Sequence, residues 1–205
     1  SAGGNNGALI NGPTFTASGA MQLTVTSILD NGAGTLRAAI NYANSHAGPD
    51  TITFSSSLDG ATISPSTALP VLTDDSTFIN ADINNDSLPN IYLDGQALLS
   101  NGFNLSGTAL RSTIQGFHIN GFTSNGITSN APFTDIRYNH LGLISANPQG
   151  ISLIGADNFV FRNVIAGVGS TIYGGSDATI DTTKIFDNFI GTDGSGLSAI
   201  RPTNG

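Results

Sequence analysis

The chain has no cysteine, no tryptophan and no glutamate, and only one methionine and one lysine, Lys184. Each absence excludes something. Without cysteine there is no disulfide framework, no thiolate metal site and no thiol redox chemistry. Without Glu, and with a single Lys, the solvated faces of a mostly helical protein cannot be built, because those residues normally fill them. Charged residues make up 10 % of the chain, where about a quarter is usual. All fourteen acids are Asp, and the net charge of −8 argues against a nucleic-acid partner. No apolar run approaches the ~20 residues of a membrane helix, so this segment is not expected to insert into a membrane.

What is present points one way. Gly, Asn, Ser and Thr dominate the polar set and Ile the apolar set. These are turn formers and strand formers, so the class is all-β. An apolar content of 39 % suffices for a core. A length of 205 residues fits one ordinary or one elongated repeat domain. Residues 1–22 read as a linker or entry strand, and residues 23–205 as the domain. Leu23 and Val25 alternate with Thr24 and Thr26 like a half-buried strand. One helix follows, near 35–46. Thr35 is its N-cap, Leu36, Ala39, Ile40 and Ala43 form an apolar stripe, and Gly48-Pro49 ends it. A lone early helix in a β chain reads as a lid over one end of the core.

From Thr51 onward the chain repeats. Ile91, Ile114, Ile136, Val160 and Ile185 open similar segments at separations of 23, 22, 24 and 25. A second column is Ile119, Leu141, Ile165 and Ile190. A third starts at Ile79 and Phe103 and runs through Ile127, Ile151 and Ile172. Asn139, Asn163 and Asn188 make a fourth. Three apolar columns at this period are what a three-sided coil requires, each side a short strand and each corner a polar turn. Coils stack at about 4.8 Å, strand on strand, in parallel and in register. A repeated corner Asn passes amide hydrogen bonds from coil to coil or simply tolerates a left-handed turn. The expected fold is therefore a parallel β-helix (a solenoid) of about six coils with an N-terminal capping helix. A β-sandwich is the competitor, but it demands no fixed period near 23.

Several stretches carry a further resemblance. Leu23-Thr-Val-Thr, Asn31-Gly-Ala-Gly-Thr-Leu-Arg37-Ala-Ala-Ile40 and Pro49-Asp-Thr-Ile-Thr-Phe54 form an opening signature. Ile91-Tyr-Leu-Asp-Gly95, Ile114-Gln-Gly-Phe-His-Ile-Asn-Gly-Phe122 and Asn188-Phe-Ile-Gly-Thr-Asp-Gly-Ser-Gly196 follow. Together they resemble the bacterial family of secreted right-handed parallel β-helix repeat proteins, which are pectate-lyase-like in fold. The resemblance covers roughly residues 23–200. It implies a secreted or cell-surface bacterial protein of surface or adhesin type, and it specifies fold more than activity. Members are often segments of long surface proteins, and Gly205 falls where another coil would begin, so a truncated C-terminal end is expected.

Candidate chemistry falls in four groups. Tyr138, Arg162 and Asp187 share a column just before the Asn residues; Arg162 and Asp187 are the weak catalytic candidates, with a surface ion pair as the simpler reading. His118 and His140 stack outward on adjacent coils, where two imidazoles suit a ligand or a shared metal, though no third ligand joins them. Phe161 and Phe186 also face outward one coil apart, as a strip suited to sugar rings or a partner surface, unless a turn such as Ser145–Gly150 covers it. Asp82-Ile-Asn-Asn-Asp86 places Asp82, Asn84 and Asp86 at the alternate spacing of a calcium loop, but lacks the Gly and the bidentate Glu; the simpler reading is a solvated loop. Calcium is the ion this loop would take, and no resident cofactor is implied.

The expected function is a structural or adhesive β-helix module presenting a binding surface to glycans or a surface protein, with end-to-end self-association a further expectation. The alternative is a polysaccharide-active enzyme, a lyase or hydrolase, on the same fold. Such an enzyme needs clustered acids with a base on one face. The sequence disperses its acids among turns, which leans the reading away from catalysis.

Overall fold

The inward positions of successive strands stack on one another and so build the molecule. In the computed structural model, which describes residues 20–142, 150–166, 172–174 and 182–191, every strand pairing is parallel and joins one coil to the next. Three sheets result. Sheet A has seven strands, from Gln22–Val25 to Lys184–Phe186; sheet B has six, from Thr62–Ile63 to Phe189–Ile190; sheet C has four, from Asn101–Leu105 to Ile172–Gly174. Among the described residues this is an all-β parallel solenoid with one α-helix near its N-terminal end.

The core is a set of aliphatic columns. Ile52, Ile79, Ile114, Ile136 and Val160 stack on sheet A and are fully buried. Ile63, Leu93, Ile119, Leu141 and Ile165 do the same on sheet B, and Phe103, Ile127 and Ile151 on sheet C. Each buried aliphatic side chain contributes about 1.5–3 kcal/mol of transfer free energy. The last described members, Ile185 and Ile190, are 49 % and 46 % exposed.

Two members of the expected columns sit elsewhere: Ile79, expected in the third column, joins the first, and Ile91, expected in the first, falls on sheet B. Ile79 pairs with Ile114 on sheet A, whereas Ile91 pairs with Phe117 on sheet B. The cause is an inserted loop between the strands Phe78–Asn80 and Ile91–Asp94. It stretches the spacing from Ile79 to Ile114 to thirty-five residues, and the accident of another Ile at position 91 imitates a regular coil.

The helix spans Leu36–Ser45, and the Thr35 hydroxyl accepts from the Ala38 amide at 3.2 Å. Leu36, Ala39, Ile40 and Ala43 are its buried residues and join the solenoid core. Asn44 ties it to the second coil, donating to the Val71 carbonyl and accepting from the Thr73 amide. Arg37 reaches the Thr67 and Ala68 carbonyls and pairs with Asp30. The helix therefore closes the end of the stack, where aliphatic columns would otherwise meet water.

Two polar columns flank sheet A, buried except at the half-buried Asn188. At its trailing corner the Asn139 carboxamide oxygen accepts from the Phe117 amide, that of Asn163 from the Asn139 amide, and that of Asn188 from the Asn163 amide, at 3.0–3.1 Å. Their NH2 groups donate to the carbonyls of Ile114, Ile136 and Val160. At the leading corner Thr77, Ser112, Thr134 and Asn158 are all fully buried. There the Ser112 hydroxyl accepts from the Thr77 amide and the Asn158 side chain from the Thr134 amide. Buried backbone groups that the turns leave unpaired are thus satisfied, which is what permits such tight corners.

Candidate functional site

The trailing corner of sheet A turns through one residue per coil in the left-handed region. Gly116, Tyr138, Arg162 and Asp187 occupy it, with φ of 82°, 54°, 53° and 54°. A side chain at such a position points out of the turn, so three chemically distinct groups line up along one edge. Across from them stands the inserted loop. Its anchor is Asp82, whose two carboxylate oxygens accept from the Asp86 and Ser87 amides. Asn90 clamps the loop's base, accepting from the Ile83 amide and donating to Asp59. At Gly116 a β-carbon would lie 2.1 Å from the Asp82 nitrogen. Only glycine lets the loop backbone seat against the corner.

Loop and corner enclose a cleft of about 650 Å3. Asp86, Ser87 and Leu88 form one wall, Tyr138, Arg162 and Asp187 the other, and His140, Val164 and Phe189 of sheet B the floor. A cleft of this size lies in the range of small-ligand sites. Groups that the sequence holds in separate motifs, namely Arg162 and Asp187, His140, and the Asp86 end of the loop, meet here.

Their arrangement departs from the expected ion pair. Arg162 Nη1 donates to the Tyr138 hydroxyl at 3.3 Å and the guanidinium lies 5.9 Å from that ring's centre. Among the described residues the ion pairs are Arg37–Asp30, Arg111–Asp75 and Arg137–Asp135, so Arg162 and Asp187 are neighbours without being bridged. The coil spacing brings their backbones together, but tyrosine on the preceding coil claims the guanidinium.

The imidazoles do stack outward. His118 pairs in register with His140, their ring centres 5.0 Å apart and nearly perpendicular, and Tyr92 lies flat on His118 at 4.2 Å. The inserted loop lies over this stack, with the Pro89 backbone beside His118. Burial holds the His118 imidazole below its ordinary pKa. Burial, and then the neighbouring His118, depress His140 to about 4. Both rings are neutral at physiological pH.

The calcium spacing serves another purpose. Asp82 is buried and fully engaged with backbone amides, Asp86 accepts from the Leu88 amide and from Asn84 Nδ2, and Asn84 is used in that bond. These oxygens hold the loop's shape. Among the described residues no group of three or more His, Cys, Asp or Glu side chains is placed to hold a metal ion.

Phe161 and Phe186 lie around the corner, on the outer face of sheet A. They stack at 5.1 Å with planes 3° apart, and the Arg137 guanidinium sits 5.8 Å from the Phe161 centre. Phe186 is 44 % exposed and Phe161 half-buried. One face of Phe161 therefore meets Phe186 and a cation approaches the ring, which leaves less of the flat apolar surface that a sugar ring would use. Residues 143–149, including most of the Ser145–Gly150 turn, lie outside the described residues, as do 192–196 of the Asn188–Gly196 motif and residues 1–19.

Asp86 entered the sequence reading as a metal ligand, Tyr138 as a column member, and Val164 and Phe189 as the continuation of the outward His118–His140 column, which the register bears out; Ser87 and Leu88 carried no signal, because only the loop's fold-back places them. No protein-family model matches the chain, and no curated protein gives a significant match.

Proposed function

We propose that this solenoid is a secreted or cell-surface structural module, of the bacterial β-helix adhesin or stalk type, that presents a glycan-binding cleft at one corner. The scaffold itself is consistent with structural and with enzymatic roles. The observation that carries the binding reading is the cleft between the inserted loop and the Tyr138–Arg162–Asp187 corner. It alternates hydrogen-bonding groups with apolar ones, with Leu88 54 % and Phe189 41 % exposed. That mixture matches sugars, whose hydroxyl rims and C–H faces need both. Rigid coils on one side and an internally bonded loop on the other pre-form the cleft, which lowers the ordering cost of binding.

A second reading has one observation in its favour. Two carboxylates, Asp86 and Asp187, share the cleft with a guanidinium and an imidazole, the residue types of a polysaccharide lyase or hydrolase. One experiment separates the two. The chain is probed on a glycan array and, in parallel, incubated with the polysaccharides it retains while reducing ends and unsaturated uronate are followed. Retention without turnover, lost in Arg162→Ala, supports the module reading. Turnover lost in the same variant replaces it with the enzyme, and no retention of any glycan by the folded chain contradicts both.

A further inference from the structure

The charges in the cleft bear on which saccharides it accepts, a question that rests on the binding reading above. Two carboxylates, Asp86 and Asp187, face one guanidinium, Arg162. The two imidazoles beneath, His118 and His140, are held neutral by burial. The single lysine, Lys184, sits at the opposite edge of sheet A, over the Phe159 ring at 5.5 Å. Arg137 is committed to Asp135 and Gln115 on the sheet's outer face. The cleft is thus net negative on a chain whose net charge is −8. An anionic ligand entering it meets repulsion at contact and again within the screening length of about 8 Å at physiological salt.

The same groups suit hydroxyls. An exposed carboxylate such as Asp187 accepts two O–H bonds from a vicinal diol, and charge-assisted bonds of this kind are stronger than neutral ones. Arg162 spends one N–H on Tyr138 and has further donors for a ring or hydroxyl oxygen. Leu88 and Phe189 offer apolar surface to the C–H face. We infer that the cleft takes an uncharged saccharide with vicinal hydroxyls, with Asp187 accepting from the diol and Arg162 donating, and that it rejects uronate polymers. This is the opposite of what the pectate-lyase-like resemblance suggests, and it follows from the local charge alone.

Calorimetric titration with matched probes tests it. The probes are oligogalacturonate, the same oligomer fully methyl-esterified, and neutral cello-, manno- and xylo-oligosaccharides, each measured at low and at high sodium chloride. At least one neutral probe is expected to bind tenfold or more tightly than free oligogalacturonate, with less than a twofold change between salts. Asp187→Asn should weaken that binding about tenfold, with its melting temperature unchanged. Tighter binding of the free uronate, weakening with salt, overturns the inference while leaving the glycan reading intact. Equal binding of both galacturonate forms also overturns it. If no probe binds the folded chain, the glycan reading fails and the inference falls with it.

Discussion

The two corners that bound sheet A have the same backbone and different surroundings. At the leading corner Ser76, Arg111, Phe133 and Asp157 sit in the left-handed region, with φ between 56° and 62°; at the trailing corner Gly116, Tyr138, Arg162 and Asp187 do. Each is followed by a buried residue of a polar column, apart from the apolar Phe117 and the half-buried Asn188 at the trailing corner. Non-glycine residues in this region cost on the order of 1 kcal/mol each, so such outliers invite a functional reading. Here the repetition at both corners argues that the strain belongs to the solenoid's architecture. What separates the corners is the loop inserted before sheet B. The trailing corner faces it across a cleft of about 650 Å3, with Arg162 held by a neutral hydroxyl. The leading corner has a depression of about 270 Å3 beside Phe133 and Asp157, and Arg111 is already paired with Asp75. A site arises on this scaffold where an insertion supplies a second wall.

The shared half of the comparison breaks with the largest effect. Asn163→Ala removes the acceptor of the Asn139 amide and the donor to the Ile136 carbonyl, both in the core. Asn158→Ala strands the Thr134 amide in the same way. Each substitution is expected to cost about 2–4 kcal/mol in denaturant unfolding. A cost below about 0.5 kcal/mol at either position would show that the polar columns do not hold the corners.

The difference between the corners is attacked through Gly116. Gly116→Ala places a β-carbon against the Asp82 backbone at a φ of 82°. The expected loss is about 2 kcal/mol, together with displacement of the loop and loss of glycan retention. Full retention at wild-type stability would mean that the loop does not rest on the corner.

Acidification acts on the covered floor. In the folded chain His140 titrates at about 4, below the ordinary value of 6.5. As pH falls from 6.5 towards 4 the unfolded chain takes up the proton first, so stability is complete above the unfolded value and is lost through this window. His118 is depressed in the same direction and adds to the loss. The combined effect is expected to be about 1–3 kcal/mol, read from denaturation midpoints at pH 7 and pH 4, and His140→Gln should flatten the slope. A midpoint independent of pH in the wild type would contradict the burial of the imidazoles beneath the loop.

The smallest structural effect is expected at Arg162. Its side chain is exposed, so Arg162→Ala should change stability by less than about 0.5 kcal/mol while abolishing glycan retention. A comparable loss of retention in Arg111→Ala would erase the distinction between the corners.

Much of the fold was legible because like residues stack on like. The Thr35 cap, the helix stripe and the columns from Ile114 onward recur with one residue type at nearly constant spacing, and the Asn139–Asn163–Asn188 ladder shows for the same reason. The leading polar column escaped notice because Thr77, Ser112, Thr134 and Asn158 differ in type; a hydroxyl at Ser112 and a carboxamide at Asn158 accept the same corner amide one coil back, while the Thr77 and Thr134 hydroxyls bond within their own turns. Ile91 misled because periodicity cannot distinguish a coil with a long turn from a coil of regular length. The chemical groups of the site were visible singly. Their convergence was not, since it depends on where the chain between Asp82 and Asn90 folds back, and the contacts that decide this are backbone amides on Asp82 and the bare α-carbon of Gly116.

The most direct test of the central claim is a map of backbone amide shifts while a retained oligosaccharide is titrated into the labelled chain. Saturable shifts are predicted at Ser87, Leu88, Tyr138, His140, Arg162 and Asp187, with Arg111, Phe133 and Asp157 unmoved. Shifts confined to the leading corner, or spread along the outer face of sheet A around Phe161 and Phe186 with the loop silent, would contradict the account.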